Sequence, residues 1–198
     1  VIAIVLIGST IGIIAGYYSG IVDTILMRIT DIQLSLPVII LAVAILSVWR
    51  STPFTLTVVL TIGLWPGYAR VVRSSTLSEK EKDYVNSAKV TGICNKNIIL
   101  HYILPNILPS ILVVAILDLA GVIVWEAVLG FIGLSVLPPT PTLGNIMGDG
   151  KNYMIMAWWI STMPGFVMFS FLSGLMSIAN GLKKYFSIES QRNIELEG

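Results

Sequence analysis

Five apolar stretches, Val1 to Tyr18, Gln33 to Trp49, Phe54 to Val72, Asn106 to Leu134 and Ala157 to Leu182, run through this sequence at lengths close to the thickness of a bilayer. A spanning helix needs about 20 mostly apolar residues, because in lipid every backbone N–H and C=O must be satisfied within the segment. The chain is 55% hydrophobic and 12% charged, with a mean hydropathy of +0.86, against roughly 25% charged residues in a soluble domain. A water-soluble core cannot absorb that much apolar surface. The sequence therefore predicts an all-α, polytopic integral membrane protein with five transmembrane segments. Arg50 to Pro53 leaves room only for a tight connection, so the second and third segments read as a hairpin with Pro53 at a helix start. The fourth contains Pro109, Asp118, Gly121 and Glu126 and exceeds one span, which predicts a tilt, kink or break.

Orientation follows from where the basic residues fall. With the loop after Arg70 placed in the cytoplasm, that side holds Arg28, Arg70, Arg73, Lys80, Lys82, Lys89, Lys96, Lys183, Lys184 and Arg192. Ten of the 12 Lys and Arg residues are then inside, with only Arg50 and Lys151 outside, as the positive-inside rule requires. The C-terminus is thereby expected in the cytoplasm of a bacterial-type inner membrane. Val1 lies on the outer side and starts within an apolar run without a basic leader, which predicts one missing earlier span and six in all. Residues 1–198 thus read as a single, N-terminally truncated transmembrane domain, with a cytoplasmic loop at 73–105 inside it.

The formal net charge of +1, without a basic run interleaved with aromatics, excludes nucleic acid as a partner. One cysteine, Cys94, and one histidine, His101, supply no cluster with zinc or iron spacing. There is no GxxxxGK[ST] stretch to cradle a nucleotide phosphate, and neither HExxH nor GxSxG for an intramembrane enzyme. Gly20 to Asp31 reads as a short inner turn. Ser135 to Met156, with Pro138, Pro139, Pro141, Gly144, Gly148 and Gly150, reads as an outer loop of turns.

The inner loop is more specific. Leu77 to Lys89 is helix-compatible, with Ser78 as N-cap and Glu79 and Glu81 in a first turn where carboxylates oppose the helix dipole. Gly92 breaks that helix, Asn95 caps a second from Lys96 to Ile103, and Pro105 turns the chain back into the membrane. Val85, Ala88, Val90, Ile93, Ile98 and Ile99 make the loop too apolar for a solvated connection and too short for a span. They suit docking to a partner.

Asn86-Ser87-Ala88-Lys89, then Gly92, then Leu104-Pro105 resembles the cytoplasmic loop of binding-protein-dependent ABC import permeases. The family pattern is Glu-Ala-Ala, three residues, Gly, nine residues, Ile, any residue, Leu-Pro. The spacing matches, while Asn86, Ser87 and Tyr102 replace the Glu, the first Ala and the Ile. The segments VDTILMRITD ending at Asp31, WPGYARVVR from Trp65, DYVNSA from Asp83, HYILPN from His101, EAVLGFIGL from Glu126 and PPTPTLGN from Pro138 resemble the dipeptide, oligopeptide and nickel branch, in its C-type second-permease subunit. After Ser177, Asn180-Gly-Leu-Lys-Lys departs from the acidic residue usual beside that Gly.

The resemblance implies a transport subunit, not an enzyme. Its partners would be a second homologous permease, two cytoplasmic ABC ATPases, an extracytoplasmic solute-binding protein and the lipid bilayer. No cofactor would be bound directly, ATP being used by the ATPase subunits. The loop would couple their closure to rigid-body movement of the membrane helices. Nickel or a metal chelate is the alternative cargo to di- and oligopeptides. An autonomous secondary transporter or channel is the alternative class, disfavoured by the docking loop and the lack of an inverted repeat.

Asp118 and Glu126, eight apart in an apolar stretch, either line a translocation path or hydrogen-bond between helices; both readings stay open. His101, Cys94, the Trp125, Trp158 and Trp159 set and the scattered methionines read as packing and interfacial residues.

Overall fold

The computed structural model describes residues 1–136 and 139–197, with side chains through residue 186, so Pro138 and the side chain of Arg192 lie outside the described residues. Among the described residues there are nine α-helices and no strand: α1 Ile2–Tyr18, α2 Gly20–Ser35, α3 Val38–Val48, α4 Pro53–Lys80, α5 Asp83–Val90, α6 Asn95–Ile98, α7 Leu104–Phe131, α8 Leu143–Gly150 and α9 Trp159–Glu197. Three helical stretches are long and apolar enough to cross a membrane: Pro53–Lys80, Asn95–Phe131 and Trp159–Phe186. Counting α2 and α3 as one broken span makes four, and α1 is a further apolar helix of 17 residues.

Four sequence-based expectations change. Gly20 to Asp31 is not a turn: Ile21, Ile25, Ile29 and Ile32 recur at helical spacing and form α2. The second predicted span is interrupted where Pro37, extended at φ −58° and ψ 128°, supplies the N-cap of α3. α4 continues beyond Val72 to Lys80, and α7 runs through Pro109, so of the tilt, kink or break expected there the break does not occur. The segment 135–156, expected as a loop of turns, contains α8, started by Thr142, whose hydroxyl accepts from the Asn145 N–H.

The chain packs as two compact units, and α4, α7 and α9 each contribute a segment to both. One unit comprises Val1, Leu36–Leu64 and Leu117–Ser177. Its core is Ala42, Leu46, Leu56, Val59, Leu60, Leu129 and Val136. The α3–α4 hairpin closes as predicted at Pro53, with the Thr52 hydroxyl accepting from the Thr55 N–H at 3.1 Å. The Ser51 hydroxyl donates to the Leu134 carbonyl at 3.0 Å, and the Asn145 amide to that of Val136 at 2.7 Å.

The other unit comprises Ile2–Ser35, Trp65–Ile116 and the chain from Ile178. Here Gly8, Gly12 and Gly16 recur every four residues along α1 and let its backbone lie on α4. A Cβ on Gly12 would stand 2.5 Å from the Ala69 carbonyl oxygen and 2.8 Å from Val72 Cβ. The Tyr68 hydroxyl, buried, donates to the Ile111 carbonyl at 2.9 Å and ties α4 to α7.

Candidate functional site

The loop at 73–105 is built from the end of α4 onward. α4 runs through Ser78, so Ser78 caps nothing; the chain turns at Glu81, and Lys82 stands at the N-cap of α5. The helix signal continues from the membrane stretch without a breaker, which is why α4 does not restart at Leu77. α5 is amphipathic. Val85 and Ala88 are buried, while Asn86, Ser87, Lys89 and Val90 face outward, Val90 with 88% of its surface exposed.

Gly92 ends α5 as predicted. Its φ is +79°, its N–H donates to the Lys89 carbonyl, and the Ile93 N–H donates to the Ala88 carbonyl at 3.2 Å. These two bonds are a Schellman cap, with the left-handed residue at the position where glycine has no steric penalty. Nothing lies within 4 Å of where a Cβ would be, so the constraint at Gly92 is the backbone angle, not the space.

Cys94, not Asn95, occupies the N-cap of α6. The Asn95 Oδ1 instead accepts from the hydroxyl of buried Tyr17 at 2.8 Å. Ile99–Ile103 then forms a π-helical turn that passes directly into α7. Leu104 and Pro105 therefore continue a helix and do not end one. Pro105 has no N–H to bond back, and this missing donor falls where the α register is already interrupted. His101 Nδ1 lies 3.2 Å from the Asn97 carbonyl, a local contact within that turn.

Two contacts fix the loop on its base. At its entrance the Tyr84 hydroxyl hydrogen-bonds Glu79, which is 7% exposed and also pairs with Lys82 at 2.9 Å. The Tyr84 ring stacks on Tyr102, 6.5 Å between centroids at 22°, and Asn106 donates to the Tyr102 carbonyl at 2.6 Å. Burial, then the Glu79 carboxylate, pushes the Tyr84 hydroxyl well above the ordinary tyrosine range, so it stays a donor. At the exit, Tyr17 holds Asn95, while Lys80 lies over the Tyr17 ring and donates to the Ser19 hydroxyl at 2.8 Å.

No local pattern in the sequence marks the contacts of Tyr84 or Tyr17, and Glu79 stands in the last turn of α4, not in a first helical turn. Tyr84 lies inside the quoted DYVNSA segment, where an aromatic hydroxyl one turn from a run of carboxylates is the available signal. Tyr84→Phe should leave the buried Glu79 carboxylate one donor short, a loss of about 1–3 kcal/mol. Amide exchange across 83–90 should rise about tenfold or more, with unchanged exchange in α7. Equal exchange in both proteins would make the bond incidental.

Arg73 forks onto the Asp23 carboxylate, and Arg70 meets Asp31 at 2.6 Å, so two of the quoted segments, VDTILMRITD and WPGYARVVR, are held to each other. In the other unit, Glu126 accepts from Ser135 at 2.6 Å across the cap of α7. Asp118 Oδ2 is buried with no hydrogen-bond partner among the described residues.

Residues 8–187 match the model of a family described as binding-protein-dependent transport system inner membrane component. The chain is 34% identical over 176 residues to a dipeptide transport system permease protein DppC of Haemophilus influenzae, covering 89% of this chain and 60% of that one. It is 36% identical over 176 residues to the protein of that name from Alkalihalophilus pseudofirmus, covering 89% and 58%. It thus spans about 60% of the length of these relatives. Among solved structures, an inward-facing MetNI methionine ABC transporter matches with a TM-score of 0.69 at 18% identity, over 93% of this chain and 91% of that one, a likeness of fold. The match over residues 8–187 makes this chain a member of the binding-protein-dependent transport system inner membrane component family.

Proposed function

We propose that the chain is the permease subunit of an ATP-driven importer of di- and oligopeptides, and that its loop at 73–105 transmits ATPase closure to the membrane helices. The identity to dipeptide permeases over 89% of the chain carries the cargo assignment. The loop geometry supports the coupling role: the loop is clamped at its entrance and its exit, yet the outer face of α5, with Asn86, Ser87, Lys89 and Val90, is uncovered. A lever needs both a rigid base and a free contact face. ATP would be bound and hydrolysed by two partner subunits and solute delivered by a binding protein, with none of that chemistry on this chain. A second permease would complete the pathway. In the span Trp159–Phe186 only 6% of the apolar window is buried within the chain, against 50% in Pro53–Lys80, leaving α9 for lipid and that partner.

The test is reconstitution of this chain with the second permease, the two ATPases and the binding protein in liposomes. ATP-dependent uptake of labelled Ala-Ala is expected, with no uptake when the ATPases are omitted. Nickel uptake without peptide uptake would reassign the cargo, and transport by this chain alone would replace the importer reading with a secondary transporter. Orientation is tested in the same preparation. Native Cys94, exposed in the loop, should react with an impermeant thiol reagent only from the cytoplasmic side. On a Cys94→Ser background, Ile155→Cys, at a side chain 99% exposed, should react only from outside.

A further inference from the structure

The unit containing α8 holds a cavity that the coupling role leaves unused. It is a cleft open to solvent, with a volume of about 320 Å³ between the C-terminal end of α7 and the α8 segment, and Phe131, Gly133, Ser135, Asn145, Asp149 and Lys151 are among its lining. Gly130, Gly144 and Gly148 bring the two helical backbones together so closely that a Cβ on Gly144 would stand 2.7 Å from the Ala127 carbonyl oxygen. The Asn145–Val136 bond fixes the connecting segment at one end.

The charge in this cavity is of both signs. Asp149 and Lys151 are both exposed, and neither belongs to an ion pair among the described residues. The Lys151 ammonium lies 5.5 Å from the centre of the Phe131 ring, which holds it without neutralising it. The cavity also lies at the end of α7, where the helix dipole is negative. A negative pole and a positive pole thus border one small polar space. The chemistry that satisfies both at once is a molecule carrying a free ammonium and a free carboxylate.

We propose that this cavity binds a short zwitterionic peptide, with Asp149 and the end of α7 receiving its ammonium and Lys151 its carboxylate. The inference rests on the peptide-import reading for the biological ligand, and it adds a cargo site on the permease itself, separate from any binding protein. The probe set is Ala-Ala, N-acetyl-Ala-Ala and Ala-Ala amide, measured by equilibrium binding to the purified complex with the binding protein left out.

Ala-Ala should bind, and each blocked peptide should bind at least tenfold more weakly. Asp149→Asn should weaken Ala-Ala tenfold and abolish discrimination against the acetylated peptide. Lys151→Gln should do the same for the amide, and Asp149→Glu and Lys151→Arg should retain discrimination, which guards against misfolding. Absence of Ala-Ala binding to the unsubstituted complex, or unchanged discrimination in both neutral variants, overturns the site. Uptake measured on the same preparation with the binding protein restored separates the two claims. Dipeptide uptake without cavity binding removes the site and leaves the import reading standing; binding without dipeptide uptake removes the import reading alone.

Discussion

Gly92→Val should reduce dipeptide uptake by the assembled importer at least tenfold while the chain still accumulates in the membrane. The residue holds φ at +79° and closes the Schellman cap of α5, and a side chain there loses about 1–2 kcal/mol in the left-handed conformation, more for a β-branched one. Because nothing lies within 4 Å of the added Cβ, the effect comes from the backbone angle and not from collision. Gly92→Asn, whose side chain tolerates that angle, should therefore keep most of the uptake. The measurements are membrane abundance, ATPase co-purification and uptake for both variants. Full uptake with normal ATPase binding in Gly92→Val would remove the coupling role from the loop. Gly150→Val would not serve as a neutral comparison, since its Cβ would stand 2.5 Å from Ser161 Oγ.

Gly12→Ala should lower the stability of the chain by about 1–3 kcal/mol, the range for overpacking a well-filled contact. The added carbon meets the Ala69 carbonyl oxygen at 2.5 Å and the Arg73 nitrogen at 3.0 Å, both backbone, so relief requires α1 to move off α4. A bulkier Gly12→Leu should prevent accumulation. Gly174→Ala, with nothing within 4 Å, should be neutral or slightly stabilising through helix propensity. Thermal unfolding in detergent, followed by retention of the monodisperse form, checks the pair. Equal midpoints for Gly12→Ala and Gly174→Ala would mean that α1 does not rest on α4 in the membrane.

The apolar stretches were legible because bilayer thickness sets a length that no soluble helix needs, and Pro53 and Gly92 because each residue type has a backbone role that few others can fill. What was missed depends on neighbours distant in sequence. Gly8, Gly12 and Gly16 show their spacing in the sequence, but only α4 gives that spacing a partner. Tyr17 reaches Asn95 across 78 positions, which no local pattern announces. In α2, Asp23, Arg28 and Asp31 interrupt the apolar run and hide the helix locally; Asp23 and Asp31 are paired with Arg73 and Arg70. α8 was hidden by its glycines and the surrounding prolines, which signal turns locally yet here permit close backbone approach to α7.

The two clamps on the loop also govern how this segment can vary over evolutionary time. Exposed connections ordinarily absorb insertions and deletions. Here Glu79–Tyr84 fixes the entrance and Tyr17–Asn95 the exit, so adding or removing one residue between them would break a clamp or the cap at Gly92. The outward-facing side chains lie outside both clamps and answer instead to the partner proposed to dock on them. The length between Glu79 and Asn95 is therefore set by contacts within the chain, and the chemistry of the outward face by the proposed partner.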